Sequence, residues 1–266
     1  MIQLIGSKKM LIDRGQYELV VWLWLFLAIC TFILLLFIRA PYGRHERPGW
    51  GVRISSRLGW IIMESPCIII MTVFFGLGIA NSGFLDNAAI FFYVMWMTHY
   101  IHRSWVWPNR AKIRDKKMPI SIVLFAMIFN SINSWINAEW IFSLNHPYPN
   151  SWLYSPQLIS GFIIFLIGMA INISSDNILF SLRKKGVRNY KIPKKGLFKW
   201  VSCPNYLGEI IEWCGWAIAT WSFAGLSFAI WSLANLLPRA RSNHQWYLEK
   251  FSDYPAGRKA LIPKIW

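Results

Sequence analysis

Apolar and polar positions alternate along this chain in long blocks, with no repeat of 2 or 3.6 residues cutting through them. Seven apolar runs can be drawn: Tyr17–Ile38, Leu58–Ala80, Phe84–Trp107, Pro119–Asn137, Leu158–Leu182, Asn205–Trp221 and Phe223–Leu237. The first, 22 residues long, reaches about 33 Å as a helix, enough to cross a bilayer. The last two form one stretch too long for a single span, and the turn between them is expected at Ala224-Gly225. The pattern predicts an all-α integral membrane protein: one domain over residues 1–266, built of seven transmembrane helices.

Charge then orients it. Beyond the N-terminal Lys8, Lys9 and Arg14, the basic residues gather in Arg39–Arg57, around Arg103–Lys117, in Arg183–Lys199 and from Arg239 onward. The alternate linkers, Asn81–Asp86, Glu139–Pro156 and Ser222–Gly225, contain none. Cytoplasmic loops carry such an excess, so the four clusters are read as cytoplasmic, with the N-terminus outside and the C-terminus in the cytoplasm.

A composition of 55% hydrophobic and 15% charged residues excludes an ordinary soluble domain. The net charge of +16 is spread over short loops at membrane ends. Anionic lipid and an anionic small molecule are therefore the expected partners, and nucleic acid is not. Lys8 and Lys9 precede an apolar run too long for a cleaved signal, which is read as a retained anchor. Four cysteines without CxxC spacing are expected to be structural thiols. Five scattered histidines do not make a metal centre, and no metal is expected. Gly76-Leu77-Gly78 lacks the spacing and the preceding strand of a dinucleotide fingerprint and is read as helix packing. No oligomer contact is read from the sequence.

The chemistry lies in polar residues that interrupt the apolar runs. Glu64, Asp176, Glu209 and Glu212 fall within them, and ionisable groups there are costly and usually face a cavity or a partner. The predicted topology puts all four in the cytoplasmic half, together with His99, Tyr100, His102, Arg103, Asn172 and Asn205. Duller readings stand beside this one. Asn172 and Asp176, at i, i+4, can simply bond neighbouring helices, and Glu209 and Glu212 can pair with loop cations. Trp105, Trp107, Tyr148 and Trp152 read as residues of the interfacial belt.

Several strings, in order from residue 41 to 266, resemble the steroid 5α-reductase family of membrane enzymes. They are Pro41-Tyr42-Gly43-Arg44-His45, Glu64-Ser65-Pro66, His99-Tyr100-Ile101-His102-Arg103, Gly168 to Asp176, Pro193 with Gly196-Leu197-Phe198, Asn205 to Trp213, and Arg239-Ala240 leading through His244, Trp246-Tyr247 and Tyr254-Pro255 to Pro263. The resemblance implies NADPH-dependent reduction of the 4,5 double bond of a 3-oxo-4-ene steroid within a seven-helix membrane fold. The site would face the cytoplasm, in the endoplasmic reticulum of a eukaryote or the inner membrane of a bacterium. By the same resemblance Glu64 and Tyr100 hold the substrate carbonyl. Asn172, Asp176, Arg183, Asn205, Glu209 and Tyr247 line the cofactor site, with Tyr42, Arg44, Arg103, Arg114, Tyr190, Lys191, Trp213 and His244 around it. Two departures bear on phosphate contacts: the family's His-rich string is Arg241-Ser242-Asn243-His244-Gln245 here, and an Arg following Tyr is Lys191.

Those residue types suit the chemistry. Hydride addition to a conjugated enone builds negative charge on the carbonyl oxygen, and donors aimed at it lower the barrier. Tyr100 can donate; Glu64 can donate as a neutral carboxyl or orient the phenol. A sterol-like substrate enters from the bilayer and the cofactor from the cytoplasm, where basic loops attract its phosphates. The loop Arg183–Lys199 is expected to close over it. A long-chain enoyl-CoA reductase, an isoprenylcysteine methyltransferase-like enzyme, and a lipid transporter or receptor that performs no chemistry are the competing readings.

Overall fold

The computed structural model describes residues 12–39, 43–45, 47, 49–111, 113, 116–144, 148–183 and 190–266. Seven long helical segments follow the seven apolar runs. α1 (Arg14–Phe37) starts at an Asp13 cap whose side chain accepts from the Gln16 amide, while the Gln16 side chain returns the bond. α2 (Ser56–Ser82) carries Pro66 inside it. α3 (Asn87–Ile101) continues through a π-helical turn, His102–Val106, into the short α4 (Trp107–Arg110). Then come α5 (Ile120–Phe142), α6 (Pro156–Leu182), α7 (Pro204–Thr220) and α8 (Phe223–Lys250). Among the described residues two strands, β1 (Arg53–Ser55) and β2 (Lys117–Pro119), pair antiparallel and tie the start of α2 to that of α5.

By length and composition α1, α2, α5 and α6 can cross a membrane. α1 displays Leu19, Trp22, Phe26, Ile33 and Phe37 outward, an apolar face of the kind that lies against lipid. The chain is a predominantly helical membrane protein.

Three boundaries depart from the sequence expectation. The turn between α7 and α8 falls at Trp221-Ser222, not at Ala224-Gly225. Trp221 takes the left-handed conformation (φ 44°) and Ser222 caps α8, its Oγ accepting from the Gly225 amide at 2.9 Å. A side-chain cap thus decides the turn, and Gly225 sits inside α8, where a Cβ would strike Thr220 and Ala217. α5 runs to Phe142 and takes Glu139, expected in a linker, wholly into the interior. α8 continues through Pro238 as far as Lys250, well past the end of its apolar run.

The closest approach in the fold is between α6 and α7, which run antiparallel. A Cβ at Gly168 would overlap the backbone of Glu212, one at Gly208 the backbone of Asn172, and Gly161 and Gly215 repeat the arrangement toward the other end of the pair. Backbones this near need glycine at the contact. By contrast α1 packs chiefly on α8, through an aromatic seam that also takes in α5. There Trp24 lies 5.6 Å from Phe129 and 4.7 Å from Trp231, ring centre to ring centre.

Candidate active site

The α6/α7 contact sets the first group of polar residues. With Gly168 and Gly208 interlocked, Asn172 on the next turn of α6 reaches the start of α7, and its Nδ2 donates to the Asn205 carbonyl at 2.9 Å. Asn205 Nδ2 donates in turn to Asp176 Oδ1 at 3.2 Å. The other Asp176 oxygen accepts from the indole N–H of Trp107. Asn172 and Asp176 share one face of α6, as their spacing predicts, and both serve Asn205.

Arg103 joins this group to α2. Its guanidinium lies over the rings of Trp60 (4.6 Å) and Trp107 (5.2 Å), with Nε 3.9 Å from Glu64 Oε1 and Nη2 3.7 Å from Glu209 Oε2. Glu64 Oε2 also accepts from Asn130 Nδ2 at 3.1 Å. Glu209 therefore pairs with a cation on the α3/α4 segment and not with a loop. Its neighbour Glu212 is buried against His99 Nδ1 at 2.7 Å. Tyr100 is buried beside them, among Trp96, His99 and Trp213. Trp213 lies in the apolar core, with its ring 3.9 Å from that of Phe228, and meets the site through His99 and Tyr100.

A second group lies beyond the apolar part of α8. Arg44, from the turn Gly43–His45, sits over Trp246 and Tyr247, 4.7 Å from each, and 5.7 Å from Tyr190. Its Nη1 is buried without a hydrogen-bond partner among the described residues. Tyr247 stacks on Tyr254 at 5.1 Å, and Ser202 Oγ bonds both Tyr254 (2.7 Å) and His244 Nδ1 (2.6 Å). At the position where the family pattern has histidine, Asn243 accepts from His45 at 3.2 Å and donates to Tyr206 at 3.3 Å. Burial, with Arg44 and Arg39 nearby, pushes the pKa of His45 below the ordinary imidazole value, against the bond to Asn243. Burial and Lys259 do the same to His244. Both are neutral near pH 7, so His45 is taken as the tautomer that donates through Nε2. Arg183, at the end of α6, donates to the Ala111 carbonyl. Lys191 is exposed. Tyr42 and Arg114 lie outside the described residues, as do 184–189 of the loop expected to close.

Trp60, Trp107, Asn130, Tyr206 and Trp246 are members of these groups that the sequence reading left out. Trp107 corrects an explicit expectation: it is no belt residue but the partner of Asp176 and Arg103. Its place four residues after Arg103, across a turn of helix, was the available signal.

A fold of apolar helices enclosing paired acids, amides and one aromatic-clamped arginine, beside a basic and aromatic patch, defines a membrane enzyme. Residues 116–266 match the family model described as 3-oxo-5-alpha-steroid 4-dehydrogenase. The chain is 41% identical over 244 residues to steroid 5-alpha-reductase DET2 of Gossypium hirsutum, covering 90% of this chain and 93% of that one. It is 39% identical over 250 residues to 3-oxo-5-alpha-steroid 4-dehydrogenase 1 of Rattus norvegicus, covering 93% and 95%. It is 38% identical over 225 residues to the Homo sapiens protein of the same name, covering 84% and 85%. The chain belongs to the steroid 5α-reductase, or 3-oxo-5α-steroid 4-dehydrogenase, family.

Proposed function

We propose that the protein reduces the 4,5 double bond of 3-oxo-4-ene steroids with NADPH. Membership of the family supports the reaction class. The observation that carries the site assignment is Arg103, whose one guanidinium spans Glu64 on the substrate side and Glu209 on the cofactor side. The residues fit a phosphate-bearing cofactor: Arg44 has a buried, unpartnered N–H group beside three aromatic rings, and a phosphate oxygen would satisfy it.

When bound, NADPH supplies a hydride to C5 of the enone. Charge then moves to the C3 oxygen, and the protein's part is to receive it. Tyr100 donates to that oxygen. Glu64 either donates as an acid or accepts from the Tyr100 hydroxyl and aims it, while Asn130 and Arg103 fix its position. A proton from solvent at C4 completes the addition of two hydrogens. Asn172, Asp176, Asn205 and Glu209 orient the cofactor, with Arg44, Arg183, Tyr190, Tyr247 and His244 toward its phosphates and Tyr42, Arg114 and Lys191 as further cofactor residues; Arg103 acts through Glu209, and Trp213 through His99 and Tyr100. The seven helices cross the membrane with the N-terminus outside and this site toward the cytoplasm, and the steroid arrives through the bilayer.

Purified protein incubated with reduced nicotinamide and a 3-oxo-4-ene steroid tests the reading. The expected product is heavier by two hydrogens and forms faster with NADPH than with NADH. Absence of product with either cofactor defeats the reductase assignment, and equal rates defeat the NADPH assignment.

A further inference from the structure

Two helices change character at the same level of the bundle. The apolar run of α1 ends at Ile38 and is followed by Arg39, while that of α8 ends at Leu237 and is followed by Pro238 and Arg239. Where these ends meet, the surface is hollow. A cleft of about 510 Å³, within the range of small-molecule sites, is lined by Phe37, Ile38, Arg39, His45 and Arg47. A second hollow of about 210 Å³ continues it toward α8, shares Phe37 and Arg39, and adds Leu36, Arg241 and Gln245.

The lining divides by depth into two chemistries. On the side of the bilayer it is apolar, and Leu36, Phe37 and Ile38 are exposed there, Phe37 by 82%. Beyond them it is basic, with Arg39, Arg47 and Arg241 converging from α1, the segment after it and α8. No acid lines either hollow among the described residues. The carboxylate nearby is Glu249, largely exposed and 3.5 Å from Arg39 Nη2, so three guanidinium groups face one distant partner. Arg47 also donates to the Arg39 carbonyl at 2.7 Å, which holds the two arginines together. Like charges gathered this way call for an anion between them.

We infer that this cleft binds the phosphate of an anionic phospholipid, whose acyl chains lie along Leu36, Phe37 and Ile38. The apolar half selects a lipid over a free anion, since a soluble phosphate gains nothing from exposed leucine and phenylalanine. The proposed topology places the cleft in the cytoplasmic leaflet, the one rich in anionic lipid. It is also separate from the patch assigned to the cofactor. Arg44 reaches Tyr190, Trp246 and Tyr247 and is not among the lining residues, and His45, which lines the cleft, has its Nε2 bonded to Asn243.

The test needs no turnover. The full chain in a nonionic detergent, without cofactor, is titrated with dioleoyl phosphatidylglycerol, dioleoyl phosphatidylcholine or inorganic phosphate, and its thermal midpoint is followed. Phosphatidylglycerol is expected to raise the midpoint, and the other two are not. Replacing both Arg47→Gln and Arg241→Gln should weaken the apparent affinity for phosphatidylglycerol roughly tenfold or more. Replacing both Lys195→Gln and Lys199→Gln, which removes the same charge from exposed positions elsewhere, should leave it unchanged. If the double arginine variant does not fold, Arg241→Gln alone makes the comparison, with an expected loss of roughly threefold or more. Equal weakening by the arginine and lysine changes means a diffuse field and overturns the site. So does phosphatidylcholine or inorganic phosphate that stabilises as well as phosphatidylglycerol, or no stabilisation by any of them. Loss of the phosphatidylglycerol effect in saturating NADPH gives the cleft to the cofactor and overturns the lipid assignment, while the reductase reading stands.

Discussion

The seam between α6 and α7 and the seam between α1, α5 and α8 solve opposite problems. In the first, backbones touch through Gly161, Gly168, Gly208 and Gly215, and the polar residues at its head, Asn172, Asp176 and Asn205, bond one another. In the second, large aromatic rings keep the helices apart, and Asn133 and Trp24 retain unpaired polar atoms. The first holds Asn172, Asp176 and Asn205 on closely joined backbones. The second closes on a helix with one main neighbour, and two hydrogen bonds cross it, from Tyr17 to the Ile136 carbonyl at 2.9 Å and from Trp231 Nε1 to the Trp24 carbonyl at 3.0 Å. Bonded polar groups beside touching backbones, against unpaired polar atoms among large rings, set the two seams apart.

The comparison breaks most visibly at the glycines. Gly168→Ala forces a methyl group into the Glu212 backbone. Overpacking of this kind should lower the thermal midpoint by about 5 °C and leave no measurable turnover. Gly76→Ala, on α2 with nothing within 4 Å of the added carbon, should do neither. Equal effects of the two would mean that α6 and α7 are not rigidly joined.

Next comes the polar head of the same seam. Asp176→Ala and Asn205→Ala should abolish turnover while the midpoint without cofactor changes little; full activity in both would detach this group from the cofactor. A smaller loss is expected for Tyr100→Phe and Glu64→Gln, roughly 100-fold in the chemical step, with NADPH binding nearly unchanged. Single-turnover rates with deuterated NADPH read that step alone. Glu64→Gln should be the milder change if the carboxyl acts as a neutral donor, and as damaging as Glu64→Ala if it must accept from Tyr100.

The mildest effect concerns pH. Because burial holds His45 and His244 below their ordinary values, the unfolded chain takes up protons first as pH falls. The stability they lend to the patch is full above about 6.5 and declines as pH drops toward their lowered values. Limited proteolysis between residues 239 and 266 should accelerate modestly from pH 7 to pH 5, less so in His244→Gln. Acceleration on going alkaline would contradict the sign.

What could be read from the sequence follows the same division. Runs such as those of α1, α2 and α6 are apolar on nearly every face, and hydropathy alone finds them. The apolar runs of α5 and α8 are shorter than the helices because helix termination depends on caps and packing: Glu139 is tolerated in the interior of α5, and α8 passes Pro238 before ending at Lys250. Among the site residues, Glu64, Asp176, Asn205 and Glu209 announce themselves as polar groups in apolar runs. Their partners do not. Trp107 and Asp176 are 69 residues apart and meet only through tertiary packing, and a tryptophan near a membrane end looks like any other. Asn133 stands in a run that also holds Asn130 and Asn137, but an unsatisfied atom is visible only once its neighbours have positions.

The π-helical turn His102–Val106 has a consequence for phase. In a regular α-helix residues seven apart return to nearly the same face, so Trp107 would fall in line with Tyr100 and face α7. The wider turn shifts everything after it around the axis. One continuous rod thereby addresses two clients: Tyr100 and His99 meet Trp213 and Glu212 of α7, while Trp107 meets Asp176 of α6. The segment behaves like a key with two bits cut at different angles, and the offset is a single supernumerary residue. Removing Val106 from this turn keeps every side chain named in the site, yet aims the second bit at the wrong ward.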